Sequence, residues 1–202
     1  MKKLSLLILA VSAVTPLMAL PGLNINRTAP ANTLINARNR GVQQESQNNL
    51  KQIYVAITTY LLDNNDRLPA SFSDITQYTA GGKIFVAHFD RESKAASSEI
   101  KPQNTSFAYV GNIGRLPRNG ADVPLAFEKP WLLPASQRFV SVLTADGNVQ
   151  RVQIPQLQKK SCKEIVEFLL KGKNLDGNLK KKLISNAAAE DKSRAAQQKI
   201  SR

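Results

Sequence analysis

The residues whose types could support catalysis are few. His88 is the single histidine and Cys162 the single cysteine of the 202-residue chain. Asp90 and Glu92 flank an arginine just after His88. A histidine that acts as a general base needs a positioned partner, whereas the apolar residues around His88 predict a strand residue at one face of a sheet. A hydrolase that uses His88, Asp90 or Glu92 is therefore the least favoured of three functional hypotheses.

Oxygen ligands for a metal ion cluster only in residues 63–66, with the sequence Asp-Asn-Asn-Asp. Such residues suit Ca²⁺, but they also end helices, and a helix-ending turn explains them better. One histidine and one cysteine exclude a His- or Cys-rich metal site and a disulfide within the chain. Cys162 has no plausible base, and we expect a small, half-buried helix residue there. We predict no catalytic residues, no metal, no cofactor and no small-molecule substrate.

The N-terminus has the pattern of a secretory signal. Two lysines follow Met1, residues 4–14 are apolar, and the small Ala19 suits a signal peptidase. The apolar run is shorter than the ~20 residues that a membrane span needs. We predict a signal peptide over residues 1–19 and an exported protein, periplasmic or extracellular. A retained N-terminal membrane anchor is the alternative.

Positive charge is concentrated near the C-terminus. The chain carries 28 Lys and Arg against 15 Asp and Glu, a net charge of +13, and residues 159–202 hold 12 of the basic residues against 5 acidic ones. Such a segment attracts nucleic acid, anionic polymers or acidic protein faces. Phe168 is its single aromatic residue, which disfavours binding of single strands, since that mode uses stacking platforms.

The apolar pattern predicts a helix followed by antiparallel strands, an α+β fold. Apolar residues recur at helical spacing in a helix over residues 34–63, and the Asp146-Gly147 pair predicts a hairpin with a type I′ turn. The predicted strands cover residues 84–89, 106–110, 124–127, 139–145 and 148–154.

The C-terminal segment predicts two helices. Ser161 and Glu164 have the spacing of a capping box before one helix, Gly172 ends it, and a second helix covers residues 178–198. The predicted divisions are a signal peptide over 1–19, a linker over 20–38, an α+β domain over 39–155 and a basic helical tail over 156–202. The candidate interface residues are Trp131, Ile165, Leu169, Lys180, Lys181 and Lys182.

Residues 40–152 resemble a known family. The resemblance is carried by Asn48-Asn49-Leu50-Lys51-Gln52-Ile53, Ala56, Tyr60, Asp66-Arg67-Leu68-Pro69 and the Asp146-Gly147 hairpin. Together these are similar to the pseudopilin-like proteins related to the major pseudopilin of type II secretion. In one branch of that family the sheet closes with a His, nine residues and Asp-Gly. Here Ser136 stands in the place of that His.

The resemblance implies a long N-terminal helix packed on a small antiparallel sheet, and a noncatalytic role in assembly. Its implied partners are envelope or secretion-system proteins, or further copies of the chain. The chain departs from the family at its N-terminus, where the prepilin cleavage motif and the long apolar helix are missing, and in its basic tail. The alternative function is a secreted basic module that binds nucleic acid or an anionic polymer or surface through residues 159–202.

Overall fold

The computed structural model describes residues 31–90, 93 and 100–200. The predicted signal peptide and residues 20–30 lie outside this part of the chain. The fold is α+β, as predicted: the described residues form three α-helices and one small antiparallel sheet. The helices are α1 (Ala31–Asp63), α2 (Cys162–Leu170) and α3 (Gly177–Ile200), and the strands are β1 (Phe107–Tyr109), β2 (Pro124–Glu128), β3 (Phe139–Thr144) and β4 (Val149–Gln153).

The four strands form a meander in the order β1-β2-β3-β4, and each strand pairs antiparallel with the next. Short connections bring consecutive strands together, as expected for an antiparallel sheet. The two central strands, β2 and β3, are almost completely buried, whereas β4 is partly exposed along its whole length. The sheet therefore has two edges, β1 and β4, in different surroundings.

Helix α1 packs on this sheet through the second half of its length. Leu50, Ile53 and Ile57 have no exposed surface, and their spacing places them on one helical face. The helix begins at Ala31, inside the range 20–38 predicted to be a linker. Residues 31–68 contain no proline, so no residue interrupts the helical hydrogen bonds before the turn that follows Asp63.

The helix ends in the turn that its acidic and amide residues predicted. Asn65 and Asp66 adopt left-handed backbone conformations, with φ of 53° and 59°. The Asp66 N–H donates to the Leu61 carbonyl over 3.1 Å, and the Asp63 carboxylate accepts a 2.8 Å hydrogen bond from the Tyr78 hydroxyl. These contacts close the helix end.

The strand predicted over residues 84–89 is wrong. Residues Gly82–Phe85 form a 3₁₀ helix, and a turn follows at His88. Ile84 and Phe85 are both buried although they are adjacent in sequence, and a strand would place them on opposite faces. The tighter helical turn lets both side chains enter the same core.

The hairpin at Asp146-Gly147 is present, but the predicted type I′ turn is wrong. Gly147 has a φ of 85°, whereas Asp146 does not have a positive φ. The Gly147 N–H donates to the Thr144 carbonyl, and the Thr144 N–H to the Asn148 carbonyl, each over 2.9 Å, which gives a three-residue loop. The Asp146 carboxylate accepts hydrogen bonds from the Thr144 hydroxyl and the Asn148 N–H and so holds this shape.

The basic tail is part of the same core and not an appendage. Cys162 and Ile165 of α2, and Leu183 and Ala187 of α3, are fully buried in the cluster that contains the sheet and α1. The predicted capping box is confirmed: Ser161 Oγ accepts from the Glu164 N–H, and Glu164 accepts from the Ser161 N–H. None of the described helices, α1 to α3, has the length and apolar character needed to cross a membrane.

Candidate functional site

Trp131 lies at the edge of the core. It belongs to the 3₁₀ helix Pro130–Leu132 and is half-buried. Lys129 Nζ lies 5.9 Å and Arg194 Cζ 5.6 Å from the centroid of its ring. Both distances are within the range of cation–π attraction, so the Trp131 ring attracts the side chains of Lys129 and Arg194 at the edge of the core.

The other predicted interface residues separate into buried and exposed groups. Ile165 is completely buried against the chain's own core, so its assignment as an interface residue is wrong, because its side chain is already covered. Leu169 packs partly against the same core. Lys180 donates a 2.7 Å hydrogen bond to the Lys173 carbonyl, while Lys181 and Lys182 are exposed.

The residues singled out for possible chemistry have separate partners. His88 is exposed in a turn and not in the predicted strand, and its Nδ1 lies 3.7 Å from Glu45 Oε2. Asp90 is buried and accepts hydrogen bonds from the Ser106 hydroxyl over 2.6 Å and the Ser93 N–H over 2.9 Å. Glu92 lies outside the described residues.

Two further residues named from the sequence are placed by the structure. Ser136 is exposed in a turn. Cys162 is buried completely and not half-buried as expected, and burial raises the pKa of its thiol well above the usual range. A neutral, buried thiol is a weak nucleophile.

The sequence reading missed a buried ion pair between the sheet and α3. Lys129 follows β2, Glu190 lies on α3, and Lys129 Nζ is 3.7 Å from Glu190 Oε2. The side chain of Lys129 has no exposed surface, and that of Glu190 is 9% exposed. Lys129 Nζ also donates to the Thr105 carbonyl over 3.1 Å and to the Pro102 carbonyl.

Burial and mutual attraction act in opposite directions on this pair. Burial lowers the pKa of Lys129, and the nearby Glu190 carboxylate opposes that change. Burial also raises the pKa of Glu190, while Lys129 and a 3.2 Å hydrogen bond from the Tyr109 N–H lower it. Each charge therefore depends on the other for its stability inside the protein. No local sequence pattern marks this pair, because its members are 61 positions apart.

A second buried carboxyl, Glu128, lies on the α1 side of the sheet. It is completely buried, and its Oε2 accepts a 2.7 Å hydrogen bond from the Ser141 N–H and a 3.4 Å bond from Gln137. The Ser46 side chain of α1 lies near this carboxyl and acts to lower its pKa. Burial raises the pKa of Glu128 to about 7, against the lowering effect of the Ser141 N–H.

A cleft of ≈ 210 Å³ lies beside the Lys129–Glu190 pair, between α3 and the loops that precede β1. Ligand pockets for organic molecules usually measure about 300–1,000 Å³, so this cleft is small for such a ligand. Its lining includes Phe72, Pro102, Tyr109, Asn112, Asn186 and Glu190.

The acidic residues of the tail are engaged within the protein. Glu164 completes the α2 capping box, and Glu167 lies 3.8 Å from Lys163. Asp176 accepts hydrogen bonds from the first N–H groups of α3, and Asp191 accepts from those of α2. With Glu190 buried, every acidic side chain of residues 159–202 has a neighbour inside the fold, while Lys181 and Lys182 form no ion pair within the described residues.

Comparisons of the chain with protein-family models, curated proteins and solved structures found no match.

Removing one member of the buried ion pair is expected to destabilise the protein. Glu190→Gln leaves the Lys129 ammonium without its counter-charge, and the free energy of unfolding should fall by about 3 kcal/mol. The free energy of unfolding of the double variant Lys129→Met/Glu190→Met should fall by less than the sum of the losses in Lys129→Met and Glu190→Met, because no uncompensated charge remains. Urea unfolding followed by circular dichroism measures these values.

The matched control for the pair is Glu167→Gln, which removes an exposed carboxylate from the neighbouring helix. It should leave the unfolding free energy nearly unchanged. Equal losses for Glu190→Gln and Glu167→Gln would contradict the role assigned to the buried pair.

Glu128 is expected to make stability depend on pH. Its pKa is raised from 4.5 to about 7 in the folded protein, so between these values the folded state holds a proton that the unfolded chain has released. Stability from this group is full below pH 4.5 and is lost as pH rises toward 7. The loss is roughly 3 kcal/mol for a shift of this size.

The measurement compares urea midpoints of the wild type and Glu128→Gln from pH 4.5 to 8. The stability of the wild type relative to Glu128→Gln should decline across this interval, since glutamine does not titrate. Parallel curves for the two proteins would show that Glu128 has an ordinary pKa. Glu167→Gln, which alters an exposed carboxyl, should follow the wild type.

Proposed function

We propose that the chain is an exported, noncatalytic, pseudopilin-like protein that acts by protein–protein assembly at the cell envelope, in a secretion- or pilus-like system. One observation carries the proposal: the second half of α1 packs on an antiparallel meander that ends in the Asp146-Gly147 hairpin. This order of a long helix followed by a small sheet is the arrangement that the resemblance implies. The predicted signal peptide over residues 1–19 supports the envelope location.

The solvent face of α1 offers a surface for such assembly. Val55 is 62% exposed and Leu62 is 83% exposed. Seven residues make about two helical turns, so the two side chains lie on one face roughly 10 Å apart along the axis. Large apolar side chains left in line on a helix suit contact with an apolar stripe on a partner helix.

The proposal predicts that a charge on this face prevents assembly. Crosslinking in intact cells, followed by fractionation and peptide mass spectrometry, should find wild-type protein that begins near residue 20 and is joined to envelope proteins or to further copies. Val55→Asp/Leu62→Asp should lose most of these adducts, because burying two carboxylates at the contact is unfavourable.

The control is Asn178→Asp/Ser185→Asp, which adds two carboxylates to exposed positions of α3 and should keep the adducts. A wild-type protein that stays monomeric, with no adduct in the envelope fraction, would overturn the proposal. Recovery of the chain in the cytoplasm with Met1 intact would do the same.

The charge distribution favours a second candidate, a secreted module that binds nucleic acid or another anionic polymer through residues 159–202. The acidic side chains of this segment have partners inside the fold, so the exposed charges of Lys181 and Lys182 are not neutralised by neighbours in the described structure. Binding of this kind releases counterions and weakens steeply as salt increases.

The second candidate predicts a change in salt dependence for Lys181→Gln/Lys182→Gln. With labelled duplex DNA and fluorescence anisotropy, the slope of log K against log salt should fall by about 2, because two phosphate contacts are lost. Lys51→Gln/Lys83→Gln removes two exposed lysines outside the tail and should retain the wild-type slope. No change in slope for Lys181→Gln/Lys182→Gln would contradict this candidate.

A further inference from the structure

The hydrogen bonds at the two ends of β4 show which of its residues face away from β3. The Thr144 N–H donates to the Asn148 carbonyl over 2.9 Å, and the Ile154 N–H donates to the Arg138 carbonyl over 3.2 Å. Antiparallel strands alternate between residues that bond to the partner strand and residues whose backbone groups face away. Between these two bonded pairs, every second residue of β4 therefore faces away from β3.

Three residues of β4 direct their N–H and C=O groups outward: Val149, Arg151 and Gln153. Gln150 and Val152 occupy the alternate positions and pair with Val142 and Val140 of β3. Within the described part of the chain, no hydrogen bond joins the outward backbone groups to another segment. The outer edge of the sheet thus presents a row of available donors and acceptors.

The opposite edge of the sheet is closed in a specific way. On β1, the Tyr109 N–H donates to Glu190 of α3. Just after β1, the Val110 and Asn112 carbonyls accept from Asn186 of α3. Side chains of α3 thus replace a neighbouring strand. The β3–β4 register is regular from Phe139–Gln153 to Leu143–Val149, without a bulge or a proline in β4. A bulge or a proline in an edge strand hinders further pairing. β4 contains neither, so it can accept an added strand.

A second copy of the chain fits this edge poorly. The two-fold antiparallel pairing that uses all three outward residues is centred on Arg151, so Arg151 of each copy would stand directly opposite the other. Like charges in opposed positions destabilise a pair of strands. Shifting the register by two residues removes one of the three outward residues from the ladder and leaves fewer hydrogen bonds.

An acidic side chain fits the position opposite Arg151. Arg151 is exposed, and its guanidinium lies 4.6 Å from the centroid of the Phe139 ring, which holds it above the sheet. We propose that the β4 edge binds an extended, acidic segment of a partner protein as a fifth strand, with a carboxylate of that segment opposite Arg151. This inference rests on the proposed assembly function, and it names the chemistry of the partner.

The test uses a capped five-residue peptide, Thr-Val-Glu-Val-Thr, titrated into the full-length protein. Amide hydrogen exchange measured by NMR should slow at least ~tenfold at Val149, Arg151 and Gln153 when the peptide is in excess, because local opening is suppressed where new bonds form. Gln150 and Val152 should change little, since their N–H groups already bond to β3. This alternating pattern is specific for strand addition.

Charge and backbone controls separate this binding from nonspecific attraction. A peptide with Lys in place of its Glu should bind wild-type protein at least ~fivefold more weakly, and Arg151→Glu should reverse that preference. Arg138→Glu makes the same charge change at an exposed position beside the strand and should keep the wild-type preference. The Glu peptide with methylated backbone nitrogens should not bind wild-type protein, a result that does not depend on whether Arg151→Glu folds.

Unchanged exchange at Val149, Arg151 and Gln153 would overturn the inference, as would equal affinity for the Glu and Lys peptides. A wild-type dimer with protection of the same three amides in the absence of peptide would overturn the choice of occupant. Failure of peptide binding while envelope adducts persist would leave the assembly function standing without this surface. Peptide binding without any envelope adduct would support the β4 site and contradict the assembly function.

Discussion

The buried pair of Lys129 and Glu190 is the interaction on which the arrangement of the C-terminal half depends. It joins the end of β2 to α3, and the same Glu190 carboxylate accepts the outward N–H of Tyr109 on β1. Two charges removed from water stabilise each other only when they lie close together, as Lys129 Nζ and Glu190 Oε2 do at 3.7 Å. The pair therefore favours one position of α3 along the sheet, whereas apolar contacts alone would tolerate sliding.

This position of α3 produces a sheet whose two edges differ. The β1 edge is covered by Asn186 and Glu190, while the β4 edge keeps its outward backbone groups exposed. It also determines the charge of the surface, because Asp191 then lies at the start of α2 and accepts from its N–H groups. The acidic side chains of residues 159–202 have partners within the fold, whereas Lys181 and Lys182 are exposed and form no ion pair within the described residues. The closed β1 edge and the contact of Asp191 with the start of α2 both follow from the position of α3.

The features predicted correctly are those set by neighbours in the sequence. The period of Leu50, Ile53 and Ile57 depends only on helical geometry, and the Ser161–Glu164 capping box forms between residues three positions apart. The predicted type I′ turn failed locally, because the Asp146 carboxylate holds a three-residue loop. The strand predicted over residues 84–89 and the interface role of Ile165 failed because of distant contacts. Phe85 was assigned to a strand because it belongs to an apolar run, yet the core beneath α1 selected a 3₁₀ turn.

The sequence by itself determined the α+β class, the buried face of α1 and the caps of α2. It also determined four strands to within a residue or two: 106–110, 124–127, 139–145 and 148–154. Only the tertiary structure decided that Glu128, Lys129 and Glu190 lie inside the protein, since composition and spacing give charged residues no mark of burial. It also decided that Ile165 faces the core and that β4 is an open edge. The physical reason is that burial and edge exposure depend on which distant segments cover a residue, and the local sequence pattern does not specify those segments.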